Sequence, residues 1–151
     1  MIIEKTVLIN ATIDTVWDTF TDLTCWKDWC SVMEDVTSHT GHLTEGKRFK
    51  FCIRPFNFPL NIEPRVEEML FQKRIVWSGK KHGVSARHEF TFTQQHDGVL
   101  LTSRETFSGA VLKFSRFLFP REKLQKLTLS MLHDLKDAAE SESSTRIPAQ
   151  D

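Results

Sequence analysis

The 151-residue sequence contains no tyrosine, only six glycines and five prolines, and three cysteines. Those counts exclude a collagen-like chain, a low-complexity chain and a disulfide scaffold. Charge of one sign is also missing: twenty Lys and Arg balance twenty Asp and Glu, for a formal net charge of zero. A nucleic-acid binder needs a basic surplus to neutralise phosphates, so no nucleic-acid partner is expected. No run approaches ~18 consecutive apolar residues, which excludes a membrane-spanning helix. The opening MIIEKTVLIN is interrupted by Glu4 and Lys5 and lacks the continuous apolar core of a secretory signal. Without such a signal, Cys25, Cys30 and Cys52 are expected as reduced, half-buried thiols in a cytoplasmic protein. Cys25 and Cys30 have no second pair, and His39 with His42 has no partner pair, so no metal is expected. Gly-x-Ser-x-Gly, Gly-x-Gly-x-x-Gly and phosphate-loop patterns are absent, which removes support for a serine nucleophile or a nucleotide cofactor. No cofactor is expected.

What the chain does have is core material. Hydrophobic residues make up 40%, with twelve Phe and four Trp, and a domain of this size buries roughly 68–70% of its unfolded surface. Residues 2–10 alternate as a strand, with Ile3, Lys5, Val7 and Ile9 on one face. Thr12 offers an N-cap, and Ile13, Val16, Trp17 and Phe20 then recur at helical spacing. A second short helix follows Thr24, with Trp26 and Trp29 on one side. Period-two patterning next predicts strands over 33–40, 47–54, 58–69, 73–78, 85–95 and 99–108, separated by glycine and proline signals.

The Asp97-Gly98 pair predicts a two-residue type I′ hairpin. Taken as the turn, it sets Phe92 opposite Ser103, Phe90 opposite Glu105 and His88 opposite Phe107. One face then carries His88, Phe90, Phe92, Leu101, Ser103, Glu105 and Phe107; the other is polar throughout. Pro120 suits the first turn of a long helix reaching about residue 140, with Leu124, Leu127, Met131, Leu135 and Ala138 on its apolar stripe. The expectation is one domain over 1–140, an α+β layer fold, followed by a flexible tail over 141–151.

Residues 9–18 (INATIDTVWD) with Trp26-Lys27-Asp28-Trp29 resemble the START-like, or SRPBCC, superfamily. Val76-Trp77-Ser78-Gly79, His88-Glu89-Phe90 and Arg104-Glu105-Thr106-Phe107-Ser108-Gly109 resemble its polyketide cyclase/dehydratase branch. The resemblance implies a helix-grip fold: a seven-stranded curved antiparallel sheet wrapped round a long C-terminal helix, with two short helices after the first strand. It also implies a hydrophobic cavity between sheet and helix. Members bind lipids, sterols, quinones, hormones or polyketides, and some catalyse cyclisation or dehydration, so the fold alone does not select a chemistry.

Three features carry the functional expectation. His88 and Glu105 are placed diagonally on the inward face, about 7–8 Å apart at the backbone. They are either a self-satisfied buried polar pair, an anchor for a ligand's polar end, or an acid–base couple. Expected cavity liners are Trp26, Trp29, Phe49, Phe51, Phe58, Trp77, His88, Phe90, Phe92, Glu105, Phe107, Leu124, Leu127 and Met131, with Arg54 also near the polar end. A ligand site of this kind should exceed ~300 Å³, whereas a smaller space would mark a filled core. The apolar segment 111–119, with Lys113, Arg116, Arg121, Lys123 and Lys126 around it, reads as an inward helix, a lid, or a surface for transient membrane or partner contact. The leading reading is a binder of a small hydrophobic ligand. The alternatives are a cyclase/dehydratase or isomerase-type enzyme using His88 and Glu105, and a chaperone-cofactor-like interaction module. Oligomeric state has no signal in the sequence.

Overall fold

The computed structural model describes residues 1–55, 57–114 and 120–145. Strand β1 (Ile2–Ile9) leads into helix α1 (Ile13–Thr21), a 3-10 turn over Leu23–Cys25, and α2 (Trp26–Trp29). Six of the remaining strands, β2 (Glu34–Thr37), β3 (Lys50–Ile53), β4 (Leu60–Ile62), β5 (Arg65–Leu70), β6 (Arg74–Lys81) and β7 (Val84–Gln95), precede β8 (Gly98–Ser108). Helices α3 (Val111–Phe114) and α4 (Arg121–Thr145) close the described chain.

Local chemistry explains the first helices. The Thr12 hydroxyl accepts from the Thr15 amide at 3.2 Å, satisfying an amide that the helix start leaves open. Asp22 repeats the device one element later, accepting from the Thr24 amide at 3.0 Å. The chain therefore turns sharply after α1, and the Trp26 indole N–H reaches back to donate to the Phe20 carbonyl at 2.9 Å.

The sheet is antiparallel, ordered β1-β8-β7-β6-β5, with a second sheet β2-β3-β4. The expected helix-grip layering is present, but with eight strands in two sheets rather than seven in one. The difference arises at Pro64, inside the segment read as one strand over 58–69. Proline cannot donate to a ladder, so pairing stops and resumes as β5. The Pro64 carbonyl instead accepts from the Phe49 amide at 3.2 Å. Together with the Arg48–Arg65 bridge, this bond joins the two sheets at a corner. The predicted strand 33–40 also shortens to Glu34–Thr37, because Gly41 turns the chain at φ 74°.

The β7–β8 hairpin forms, but Asp97-Gly98 is not its turn. Gln95 pairs with Gly98, leaving His96 and Asp97 as the two loop residues. Neither has the positive φ that a type I′ turn demands. Gly98 serves a different contact: its φ is 143°, and a Cβ there would lie 2.1 Å from the Ile9 carbonyl oxygen of β1. The true register is shifted by two residues, so Phe92 faces Leu101, Phe90 faces Ser103, and His88 faces Glu105 directly rather than diagonally. A shift of two preserves faces, and the inward set is as expected.

Helix α4 lies against β1 and α1. It extends to Thr145, beyond the expected end near residue 140, and at ~1.5 Å per residue is about 37 Å long. Its buried stripe is Leu124, Thr128, Met131, Leu132, Leu135 and Ala139, rotated slightly from the expected one. The polar member, Thr128, bonds the Leu124 carbonyl at 3.0 Å and so enters the interior satisfied. Helix α4 is pinned at two points of its C-terminal half: the Ser31 amide donates to Asp134 at 2.9 Å, and the Asn10 amide to Glu140 at 2.8 Å.

The interior divides into two clusters. The larger holds Phe20, Trp26, Trp77, Phe90, Phe92, Met131 and Leu135 among others. A smaller one joins Ile3, Val84, Phe107 and Leu124, with Ala86 and Leu112 against it.

Candidate functional site

A cavity of about 150 Å³ lies between these clusters, walled by Phe51, Trp77 and Met131 from one and by Val84, Phe107 and Leu124 from the other. Its position follows from side-chain length. Where α1 and α2 cover the sheet, large rings interlock: Phe20 and Phe90 have centroids 4.8 Å apart, Trp77 and Phe90 4.7 Å. Further along the same strands the wall residues shrink to Gly79, Ala86 and Val84, and the space stays open. Interlocked rings close the core under α1 and α2, and the short side chains beyond them leave the cavity.

That rule sorts the expected liners. Phe51, Trp77, His88, Glu105, Phe107, Leu124, Leu127 and Met131 do line it. Trp26, Phe49, Phe90 and Phe92 do not: all four are buried in the packed core. Trp29 rests on Trp26 with centroids 4.9 Å apart, outside the lining. Phe58 is 54% exposed and Arg54 pairs with Glu34 at 3.3 Å, so neither reaches the cavity. Val32, Met33, Ile53, Leu60, Ile62 and Thr128 line it and were missed. Three of them, Ile53, Leu60 and Ile62, sit on the short second sheet, whose folding over the first depends on the Pro64 corner. Nothing local in those residues announces it.

The volume is half the ~300 Å³ expected of a site that encloses a whole ligand. The expected ligand-sized cavity is therefore corrected: the interior is largely filled, and what remains is a smaller apolar cleft. It is rimmed by Pro55, by Lys80 and Lys81 at the end of β6 and by His82 of the turn that follows, the last three exposed. Lys81 donates to the Asn61 carbonyl at 2.7 Å, holding that turn to β4. Val111 lies beside this rim, since a Cβ on Gly83 would lie 2.9 Å from its side chain, and segment 111–119 begins there. Its expected roles as lid or contact surface fall on residues 115–119 and on the Lys113 and Phe114 side chains, which lie outside the described residues, as does Phe56.

Two titratable groups face the cavity from its sheet wall. His88 is 5% exposed, stacked on Phe90 at 4.1 Å and meeting Trp77 edge-on at 5.4 Å. Its Nε2 lies 2.6 Å from the Ser103 hydroxyl, while its Nδ1 lies 3.9 Å from Glu105 Oε1. Burial among apolar rings holds the imidazole neutral, with a pKa lowered to about 3. The same cause pushes the Glu105 carboxyl up to about 7. Near neutral pH the pair is thus an uncharged imidazole beside a carboxyl close to its midpoint, able to donate, accept or exchange a proton. Among the described residues, no group of three His, Cys, Asp or Glu side chains could hold a metal ion. No described helix is long and apolar enough to cross a membrane.

Comparison with known proteins agrees with this architecture. The sequence profile of the family described as "Polyketide cyclase / dehydrase and lipid transport" matches residues 1–140. Among solved structures, hypothetical protein jhp0584 from Helicobacter pylori superposes with a TM-score of 0.76 at 18% identity, covering 92% of this chain and 88% of its own. The di-domain aromatase/cyclase StfQ of the steffimycin biosynthetic pathway gives 0.76 at 14% identity, over 95% of this chain and 52% of its own. A START superfamily protein from Mycobacterium smegmatis gives 0.67 at 14%, over 97% and 99%. At these identities the likeness is one of fold. No curated protein matches the sequence significantly.

Proposed function

The chain belongs to the polyketide cyclase / dehydrase and lipid transport family, and from that premise we propose that it binds the apolar end of a small hydrophobic ligand in the cytoplasm. One observation carries the reading: a cleft walled by apolar side chains with two polar groups, His88 and Glu105, converging on it from the sheet. An apolar wall with a few convergent polar groups is the usual form of a small-molecule site. A dry apolar space of about 150 Å³ accepts one ring the size of benzene, so the rest of a larger lipid, quinone or polyketide would extend past the Lys80–His82 rim. Trp77 and Phe107 supply flat apolar contact, and His88 and Glu105 can meet a polar substituent carried on the enclosed apolar end.

Turnover of the bound molecule is the second reading. It is supported by the Glu105 carboxyl, whose pKa of about 7 suits general acid–base work at neutral pH. In that case His88→Ala and Glu105→Gln would each remove activity while leaving ligand affinity largely intact.

Native mass spectrometry of freshly purified protein tests the binding reading. The expected result is a mass increment that organic solvent strips away and that an Ala86→Phe variant, with its cleft filled, lacks. A bare polypeptide mass, or an increment the variant retains, would contradict it.

A further inference from the structure

The 3.9 Å between His88 Nδ1 and Glu105 Oε1 is too long for a hydrogen bond and too short for a group to sit in line between the two atoms. Both side chains border the cleft, and among the described residues no donor meets either Glu105 oxygen. One oxygen atom placed about 2.8 Å from each partner would close the gap with a near-right angle between its two hydrogen bonds.

The other side of the imidazole is already committed. Nε2 meets Ser103 Oγ at 2.6 Å, and Ser103 is 0% exposed and outside the cavity lining. No ligand can reach that hydroxyl, so it is not a nucleophile. A neutral imidazole carries one N–H, and which nitrogen holds it depends on the partner of the other. If Nε2–H donated to Ser103, the serine hydrogen would be buried with no acceptor. If Ser103 donates to Nε2, every hydrogen there is used and the ring N–H sits on Nδ1, facing the gap. Buried polar groups take the satisfied arrangement.

We propose that this gap seats a single uncharged ligand oxygen, a hydroxyl or carbonyl carried on an apolar ring, and that Ser103 is the positioning residue that turns the His88 Nδ1–H towards it. The proposal rests on the ligand-binding reading and narrows it to a ligand class. The surroundings disfavour an anion there. Among the described residues, Ile3 on β1 and His88 on β7 pair with Glu105, and the uncharged Leu124, Leu127, Thr128 and Met131 of α4 line the same cleft. The charged liners Lys80 and Lys81, and the titratable His82, stand exposed at the rim. Burial keeps His88 neutral, and Glu105 is already resistant to ionisation, so among the described residues a carboxylate ligand would meet no compensating cation at the seat.

Isothermal titration calorimetry at pH 6 with toluene, p-cresol and benzoate separates the possibilities. A purely apolar cavity rejects a hydroxyl, because its desolvation goes uncompensated. With the seat, p-cresol binds at least as tightly as toluene, and benzoate binds more weakly than either. Ser103→Ala should weaken p-cresol by about tenfold, the scale of one hydrogen bond to a buried group, while leaving toluene within about twofold. Ser103→Thr, which keeps a hydroxyl, should restore p-cresol affinity. The 15N spectrum of the parent protein should show the His88 proton on Nδ1. Toluene binding with p-cresol weaker would overturn the seat while leaving the cleft as a ligand site. Binding of neither would overturn both. A proton on Nε2, or equal p-cresol affinity in Ser103→Ala, would overturn the role of Ser103.

Discussion

Replacing Glu105 with glutamine should change how stability depends on pH in a way that no exposed glutamate would. The Glu105 carboxyl is raised from an ordinary 4.5 to about 7 in the folded chain. Between those values the folded state holds a proton that the unfolded state has released, so stability is full below 4.5 and falls as pH rises towards 7. At ~1.36 kcal/mol per pH unit, the loss sums to about 3 kcal/mol. His88 works in the opposite sense. Its pKa is lowered from 6.5 to about 3, so its contribution is present above 6.5 and is lost as pH falls towards 3. The two slopes nearly cancel between about 4.5 and 6.5. In Glu105→Gln the His88 slope stands alone, and the variant should match the parent near pH 4 yet exceed it by about 3 kcal/mol at pH 8. Urea unfolding followed by circular dichroism at one-unit intervals from pH 4 to 8 measures this difference. Shifted groups elsewhere, such as Glu89 and Asp22, are common to both proteins and drop out. A difference that stays constant across the range, or a variant less stable at pH 8, would refute the burial argument.

Other outcomes follow from single contacts. Gly98→Ala should cost at least about 2 kcal/mol, since the new Cβ would lie 2.1 Å from the Ile9 carbonyl at a φ of 143°; thermal unfolding reads it. Thr12→Ala removes the cap on the Thr15 amide and should cost about 1 kcal/mol in the same assay. Ala86→Phe should fill the cleft between Trp77 and Phe107, abolishing toluene binding by calorimetry at a stability cost of no more than about 3 kcal/mol.

The inward face of the β7–β8 hairpin was readable because strand periodicity is two, and a register error of two leaves every side chain on its proper face. The register itself was not readable from Asp97-Gly98. That glycine answers to Ile9, on a strand that meets it only in the folded sheet. His88 and Glu105 could be brought near one another from pattern alone, but their direct pairing needed the true register. Ser103 was on the predicted face, yet its bond to Nε2 depends on the His88 rotamer. The aromatic liners show a different limit. Alternation places Phe90 and Phe92 inward, but only the approach of Phe20 and Trp17 decides that they are packed rather than lining. Pro64 is visible in the sequence as a ladder breaker. What it does, folding the second sheet over the first and bringing Ile53, Leu60 and Ile62 to the cleft, is tertiary.

The account turns on the space between the two core clusters being where an apolar ligand resides. Intermolecular nuclear Overhauser effects between toluene ring protons and the protein's methyl groups test it most directly. Cross-peaks to the Met131 and Val84 methyls, both on the cleft wall, are predicted, and they should vanish in Ala86→Phe. Cross-peaks confined to exposed Leu70 and Ile2, or none at saturating toluene, would contradict it.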